Sequence, residues 1–171
     1  MKQDFLTLLN TRRSFRAYKP DPVPEDVLDA VLEAGTYAPS AMGQQSATIV
    51  AVRDPDTRAT LSAMNAKVFG RDMDPYYGAP VIVLVFSKGP CATADGACVL
   101  ENLMLAAHAS GLGSCWINRE KEMFATPEGK ALMVKWGLDE ELQGVGAISL
   151  GYPQGDPKPA APRKPDYIVK V

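Results

Sequence analysis

Residues 81–86, with the sequence VIVLVF, constrain the fold of this chain more than any other segment. Successive side chains of a β-strand point to opposite faces of a sheet, so a strand without polar positions must be covered on both faces. The longest strictly apolar run, residues 79–86, is far shorter than a bilayer span, which needs roughly 18–20 residues. The segment therefore predicts a central strand between two layers, in a protein without a membrane partner.

Helical and strand patterns alternate around this central segment. Proline stands at the expected first turn of three helices, at Pro24, Pro55 and Pro127, where its missing N–H and fixed φ are tolerated. The order of elements predicts an α+β or α/β sandwich around one short sheet, in a single domain over residues 1–171, ending in a proline-rich extended tail. We predict helices over residues 2–10, 24–38, 54–66, 93–110 and 126–137, and strands over residues 47–52, 81–86, 114–117 and 145–150.

Length and charge exclude several classes of protein. The 171 residues fit one domain, and 18 basic against 20 acidic residues give a net charge of −2. A nucleic-acid partner is not expected, because such proteins need a strong basic excess. The three cysteines fit neither a disulfide framework nor a CxxC metal site, and the start of the chain lacks a secretory pattern. A reducing, cytoplasmic location is therefore expected.

Basic residues concentrate at two places in this acidic chain. The first cluster surrounds Ser14 with guanidinium groups, and no acidic residue lies within residues 11–20. Guanidinium groups bind phosphate oxygens bidentately, and crowded like charges are unfavourable unless an anion compensates them. We interpret the clusters as a phosphate site, with a solvated basic turn and a nucleic-acid-binding arm as alternatives. The basic residues are Arg12, Arg13, Arg16 and Lys19 in the first cluster and Arg163 and Lys164 in the second.

Residues 38–45 (APSAMGQQ) connect a predicted helix to a predicted strand. Small residues, a hydroxyl and amides of this kind suit the edge of a heterocycle, which needs a few placed donors and acceptors. An ordinary helix-to-strand connection is the alternative, and the sequence alone favours it.

Residues 111–116 (GLGSCW) contain a GxG pattern. The dinucleotide-binding fingerprint follows a strand and opens a helix, whereas these glycines follow a helix and precede a strand. A Rossmann site is therefore rejected here, and Trp116 is interpreted as a core residue.

The long apolar helix carries a few polar residues that require partners. Asp95 and Asn102 lie on one face of it, and Glu101 and His108 share another. We interpret His108, the only histidine, as part of a structural hydrogen bond and not of a catalytic dyad. The chain thus shows an anion site and apolar walls without a protein-borne nucleophile, a pattern typical of an enzyme whose cofactor carries the chemistry.

Several segments together resemble the FMN-dependent nitroreductase family. They follow the family's order from residue 5 to residue 165, which is nearly the whole chain. Each segment alone is a weak signal, and together, in order, they are specific to the family. The segments are residues 12–18 (RRSFRAY), 22–24 (PVP), 34–41 (AGTYAPSA), 77–83 (YGAPVIV), 102–108 (NLMLAAH), 111–117 (GLGSCWI), 151–153 (GYP) and 163–165 (RKP).

The resemblance implies an α/β sandwich with a short, mostly antiparallel central sheet flanked by helices, in an intertwined homodimer with FMN at the subunit interface. It implies that NADPH or NADH reduces FMN, which passes hydride or electrons to a nitroaromatic, quinone or activated alkene by a ping-pong mechanism. No catalytic side chain and no metal are then expected, because FMN carries the chemistry.

The resemblance also assigns the cofactor contacts, residue by residue. The expected contacts are Arg12, Arg13, Ser14, Arg16, Arg163 and Lys164 around the phosphate, ribityl and pyrimidine end, Pro39, Ser40 and Ala41 from the partner chain, the main chain of Cys115, Trp116 and Ile117 along the isoalloxazine ring, and Gly43, Gln45 and Asn65 as further candidates.

The chain departs from the family pattern at two places. Gly43 replaces an asparagine and Ser46–Ala47 stand where Pro-Trp is common, while the roof over the substrate channel is reduced to residues 65–77. These departures keep alternatives open: a flavin carrier or sensor, or a variant that dehydrogenates, dehalogenates or fragments the flavin. A third alternative gives the arginine cluster to another phosphorylated ligand.

Overall fold

The computed structural model describes residues 5–171. Residues 2–4 of the predicted first helix lie outside the described residues. The helices are α1 Phe5–Thr11, α2 Glu25–Thr36, α3 Pro55–Phe69, α4 Ala92–Ala109, α5 Glu120–Ala125 and α6 Pro127–Lys135, with a short 3-10 turn over Ala41–Gly43. The strands are β1 Ala47–Val52, β2 Val81–Ser87, β3 Gly113–Ile117 and β4 Gln143–Gly151.

The four strands form one antiparallel sheet in the order β1-β2-β4-β3. β2 lies between β1 and β4, with Val83 opposite Ala51 on one side and Ile148 on the other. β1 and β3 are the edge strands, so each has one side without a partner in this sheet. The predicted α+β class with an antiparallel central sheet is confirmed.

β2 is buried on both faces, as its sequence predicts. The odd-numbered side chains of residues 81–85 pack with α2 and α4, through Leu28 and Leu103 among others. The even-numbered side chains of residues 82–86 pack on the other face with α3, α5 and α6, through Leu61 and Phe124 among others. Because strand side chains alternate, this single strand contributes to two hydrophobic cores and fixes a three-layer helix–sheet–helix arrangement.

The predicted starts of α3 and α6 are confirmed by their caps. Asp54 Oδ2 accepts a hydrogen bond from Thr57 N at 2.8 Å, and Thr126 Oγ1 accepts one from Gly129 N at 3.1 Å. Each cap satisfies an N–H group that the first helical turn leaves without an intrahelical partner. A proline follows each cap at the first helical position.

Several predicted boundaries were wrong. α3 continues beyond residue 66 to Phe69 and ends at Gly70, whose φ of +68° suits glycine. The short helix α5 was not predicted, because its six residues carry only Met123, Phe124 and Ala125 as apolar positions. In α1 only Leu8 is buried, whereas Phe5 is 65% exposed.

The chain beyond β4 is extended, as its prolines predict. Residues 154–171 are exposed and contain neither a helix nor a strand of the sheet. Among residues 5–171, no helix has the length and apolar character that crossing a membrane requires.

Candidate functional site

The free edge of β3 is where the first basic cluster meets the sheet. Ser14 forms a parallel bridge with Ser114, and Phe15 N donates to Ser114 O at 3.0 Å. Backbone groups alternate along a strand, so the N–H and C=O of Trp116 point to the same edge as Ser114 O. The edge is therefore occupied by chain at Ser114, whereas beside Trp116 no segment of residues 5–171 pairs with it.

A basic cavity of about 590 Å³ adjoins this edge. Among residues 5–171, no aspartate or glutamate lines it, so no acidic residue of that part of the chain compensates the positive charge of the wall. The pKa of His108, whose Nε2 lies 3.0 Å from Thr11 Oγ1, is lowered by burial and then by Arg12 and Arg13. The charged and hydroxyl residues of the wall are Arg12, Arg13, Ser14, Arg16, Lys158 and Arg163.

Arg12 supplies the strongest indication that this cavity binds an anion. Its Nη1 is buried and has no hydrogen-bond partner among residues 5–171. Arg13 Nη1, in contrast, donates to Asn10 O and Arg12 O at 2.8 and 2.6 Å. A buried guanidinium N–H without an acceptor is costly, and an anion in the cavity would satisfy it. The donor set therefore fits a phosphate group.

The two residues of the second basic cluster, Arg163 and Lys164, lie in different surroundings. Arg163 lines the cavity, and its Nη2 donates to Ala161 O at 2.6 Å. Lys164 does not line it, and its Nζ lies 5.6 Å from the centroid of the Tyr167 ring. Lys158 takes the place of Lys164 in the wall, a residue that the sequence analysis missed.

The side chains of β3 face inward, leaving the main chain for any ligand at the edge. Cys115 and Ile117 are buried, and burial raises the pKa of the Cys115 thiol while Arg16 opposes the shift. Trp116 is half-buried, and its Nε1 donates to Asn118 Oδ1 at 2.8 Å. A ligand beside β3 would meet the backbone N–H and C=O of Trp116. By the same alternation, the main-chain groups of Cys115 and Ile117 point towards β4, so their predicted contacts with a cofactor stay predictions.

The loop of residues 38–46 is held by a buried carboxylate on α4. Asp95 accepts hydrogen bonds from Ala41 N at 2.9 Å and from Ser46 Oγ at 2.6 Å. Ser40 Oγ accepts a third bond, from Gln45 N at 2.8 Å. The sequence singled out Asp95 as a polar residue in need of a partner, and the loop is that partner.

Within one chain this loop lies apart from the basic cavity. Pro39, Ser40 and Gln45 line a different cavity of about 430 Å³ between α2 and α4, and none of them lines the basic one. Met42 has a φ of +52° and Gln45 of +50°, so the loop keeps an unusual backbone shape. The structure therefore does not bring this loop into the wall of the basic cavity, and its predicted contacts with a cofactor, those of Pro39, Ser40 and Ala41 from a partner chain and those of Gly43 and Gln45, stay predictions.

Asn65 lies behind the end of β3 and is fully buried. Its Nδ2 donates to Asn118 O at 3.0 Å, and its Oδ1 accepts from Arg119 Nε at 2.7 Å. Both amide atoms are therefore engaged by the protein. The structure brings Asn65 next to β3 and does not place it in the wall of the basic cavity, so its predicted contact with the cofactor stays a prediction.

A buried glutamate adjoins Asn65. Glu120 is 1% exposed, Tyr76 OH donates to its Oε1 at 3.0 Å, and its Oε2 has no partner within residues 5–171. Burial raises the pKa of Glu120 to about 8, so the carboxyl group is neutral at pH 7. Nothing in the sequence around it, NREKE, distinguishes this glutamate from an ordinary surface residue.

Comparison with known proteins identifies the family. The profile of the nitroreductase family matches residues 9–72. A provisionally named NADH dehydrogenase/NAD(P)H nitroreductase from Archaeoglobus fulgidus is 32% identical over 162 residues, which are 90% of this chain and 88% of that protein. The chain belongs to the nitroreductase family. The resemblance stated from the sequence segments is confirmed.

Two further proteins extend the comparison. The crystal structure of a nitroreductase with bound FMN from Bacteroides fragilis superposes with a TM-score of 0.90 at 31% identity, covering 99% of both chains. An FMN reductase [NAD(P)H] from Bacillus subtilis is 28% identical over 88% of this chain and 55% of its own length. The nitroreductase fold is therefore present over the described part of the chain.

Proposed function

We propose that this nitroreductase-family protein is an FMN-dependent NAD(P)H oxidoreductase that binds the FMN phosphate in the basic cavity. The observation that carries the proposal is the buried Arg12 Nη1: within residues 5–171 it has no hydrogen-bond partner, and no acidic residue of that range lines the cavity. The predicted cofactor and enzyme class agree with the family, since the Bacteroides fragilis relative holds FMN and the Bacillus subtilis relative is an NAD(P)H-dependent FMN reductase.

The chain's own residues bind and orient the cofactor. Arg12, Arg13, Arg16 and Arg163 would hold the phosphate, with the Ser14 hydroxyl and Lys158 of the tail beside them. The open main-chain edge of β3 at Trp116 would meet the isoalloxazine ring, with Cys115 and Ile117 fixing the strand by their buried side chains. The flavin supplies the ability to accept and release hydride, which these side chains lack.

Affinity for FMN and for riboflavin tests the placement of the phosphate. Arg12→Gln removes the buried guanidinium, and FMN should then bind about tenfold to a hundredfold more weakly, as for a lost charged hydrogen bond. Riboflavin, which has no phosphate, should bind both proteins equally. Lys19→Gln is the matched control, since Lys19 belongs to the same cluster but does not line the cavity. Equal loss of FMN and riboflavin binding contradicts this placement.

The homodimer is the second part of the proposal. Two exposed apolar side chains lie at the loop of residues 38–46: Met42, in its middle, is 89% exposed, and Tyr37, directly before it, is 77% exposed. The outer edge of β1 has no strand partner within residues 5–171, and the exposed tail ends in the strand-like YIVKV, residues 167–171. Unpaired edges and apolar arms of this kind are typical of chains that pair with a second copy.

Analytical ultracentrifugation tests the dimer. The full chain should sediment at about twice its monomer mass of 18.4 kDa, and removal of residues 167–171 should shift the equilibrium towards monomer. If the protein is a monomer at micromolar concentration and still binds FMN with full affinity, the proposed FMN site at the subunit interface is contradicted.

The acceptor and the mechanism complete the proposal. A nitroaromatic, quinone or activated alkene would occupy the place that the nicotinamide leaves, and a single shared place gives ping-pong kinetics. Parallel double-reciprocal lines with two varied substrates support this order, whereas intersecting lines exclude the shared site. Flavin that neither NADPH nor NADH reduces would favour a carrier or sensor instead.

A cytoplasmic location belongs to the same proposal, because Cys91, Cys98 and Cys115 are free thiols of the kind that a reducing compartment maintains.

A further inference from the structure

Two arginines from separate segments lie against one aromatic ring beyond the end of β3. Phe69 is the last residue of α3, and the guanidinium carbons of Arg119 and Arg71 lie 4.1 and 4.7 Å from its ring centroid. Both guanidiniums therefore contact the same ring, and positive charge is concentrated around it. The ion pairs among residues 5–171 have Arg53 and Lys88 as their cations, so neither guanidinium has a carboxylate within 4.0 Å there.

The position of Arg119 is fixed by the fold. Its backbone φ is +87°, a left-handed conformation that costs a non-glycine residue free energy. Its Nε donates to Oδ1 of the fully buried Asn65 at 2.7 Å. The neighbouring Glu120 carboxyl is neutral at pH 7, so it leaves the charge of Arg119 uncompensated. Strain at a residue held this firmly is typical of functional sites.

The hydrogen bonds leave the outer donors of Arg119 available. Its bond within residues 5–171 uses Nε, so the two Nη groups have no acceptor in that part of the chain. Arg71 is exposed and lies in the turn after α3. A fork of guanidinium N–H groups matches the oxygens of a carboxylate or phosphate.

This arginine pair is separate from the cavity that holds Arg12. Arg119 lies five residues after Ser114, a distance of at most about 17 Å along an extended strand. The basic cavity adjoins the Ser114 end of β3, and neither Arg71 nor Arg119 lines it. Any anion bound by these two arginines would thus be a second group, distinct from one held in the basic cavity.

We propose that Arg71 and Arg119 form an oxyanion subsite that holds a carboxylate or phosphate of the small molecule exchanging electrons with FMN. The subsite rests on the proposed function, because it places the second substrate beside the edge of β3 that is proposed to meet the isoalloxazine ring of FMN. The oxyanion could belong to the nucleotide reductant, as the extra phosphate that distinguishes NADPH from NADH, or to an acidic acceptor. Both sources share the chemistry that the two guanidiniums recognise.

Two substitutions test the subsite without unfolding the protein. Arg119→Gly removes the guanidinium and relieves the left-handed backbone, which glycine adopts without strain. Arg71→Gln removes the exposed partner. Lys130→Gln is the control, an exposed lysine on α6 outside the subsite. Each arginine variant should lower kcat/KM for the anionic substrate about tenfold, as for one lost charged hydrogen bond, and change that for the neutral analogue less than twofold.

The substrate pairs distinguish the sources of the oxyanion. NADPH is compared with NADH at a fixed neutral acceptor, and 4-nitrobenzoate is compared with 4-nitrobenzamide at a fixed reductant. Selective loss for NADPH assigns the subsite to the reductant, and selective loss for 4-nitrobenzoate assigns it to the acceptor. Equal loss for anionic and neutral members of both pairs, or no loss for any, overturns the subsite.

Direct binding separates this inference from the proposed function. The FMN-loaded protein is titrated calorimetrically with 2′-AMP and with 4-nitrobenzoate, and at least one should bind about tenfold more weakly to Arg119→Gly. If turnover of the neutral pair is normal but neither anion distinguishes the variants, the subsite fails and the proposed function stands. If no substrate turns over yet the anion still binds through Arg119, the proposed function fails and the subsite stands.

Discussion

Glu120→Gln is expected to make the stability of this protein less dependent on pH. Glu120 is 1% exposed, and burial raises the pKa of its carboxyl group from 4.5 to about 8. Glutamine keeps the Oε1 acceptor that Tyr76 OH contacts at 3.0 Å and has the shape of the neutral carboxyl group. The substitution therefore removes the titration and leaves the packing nearly unchanged.

The sign of the pH dependence of stability follows from the number of protons that the folded and the unfolded chain bind. Between pH 4.5 and pH 8 the folded chain holds a proton on Glu120 that the unfolded chain has released, so the free energy of unfolding falls as pH rises. The fall is about 1.4 kcal/mol per pH unit, or roughly 3 kcal/mol between pH 5 and pH 7.5. Below pH 4.5 the contribution of Glu120 to stability is fully present, and above pH 8 its loss is complete.

Urea denaturation of the FMN-saturated protein measures this effect. The unfolding free energies of wild type and Glu120→Gln are compared from pH 5 to pH 8, so that all other titrations cancel in the difference. The difference should shift in favour of the variant by roughly 3 kcal/mol between pH 5 and pH 7.5. Glu140→Gln, an exposed control, should follow wild type. Parallel curves for wild type and Glu120→Gln would refute the reasoning.

Two further predictions concern the supports of the site. Asp95→Ala removes both hydrogen bonds to the loop at Ala41 and Ser46. It should destabilise the fold by about 1–3 kcal/mol and speed amide hydrogen exchange of residues 40–46. Unchanged exchange there would show that Asp95 does not hold the loop in place. Gly144→Ala places a Cβ 2.5 Å from Glu120 O, a backbone atom that can move little. The melting temperature should fall by several degrees, corresponding to about 1–3 kcal/mol of unfolding free energy. An unchanged melting temperature would show that α5 can shift to accommodate the methyl group without cost.

The fold could be predicted where one residue pattern has one physical solution. The uninterrupted apolar run of β2 requires cover on both faces, and both helical layers are present. Asp54 and Thr126 mark the starts of α3 and α6 because a cap and a proline together define a first turn. Helix α5 escaped prediction because its apolar residues form no repeat, and its place depends on β4 through the close approach of Gly144 to Glu120.

The candidate site could be predicted in part, and charge was the informative signal. The crowding of Arg12, Arg13 and Arg16 indicated an anion site before the cavity was seen, because such crowding needs compensation. The sequence could not show which residues bind Asp95 or that Lys158 lines the cavity, because both depend on contacts between residues distant in sequence. The contact of Arg119 with Phe69, beside that of Arg71, also joins residues distant in sequence and has no local signature.

Anaerobic reduction of the bound flavin tests the central claim most directly. The absorption spectrum of the purified protein, supplemented with FMN if needed, is recorded before and after NADPH and then NADH are added. The account predicts bound-flavin bands that bleach with at least one nucleotide and return when a quinone or nitroaromatic is added. Flavin bands that neither nucleotide bleaches, or a protein that binds no FMN at all, would contradict the assignment of this chain as an FMN-dependent NAD(P)H oxidoreductase.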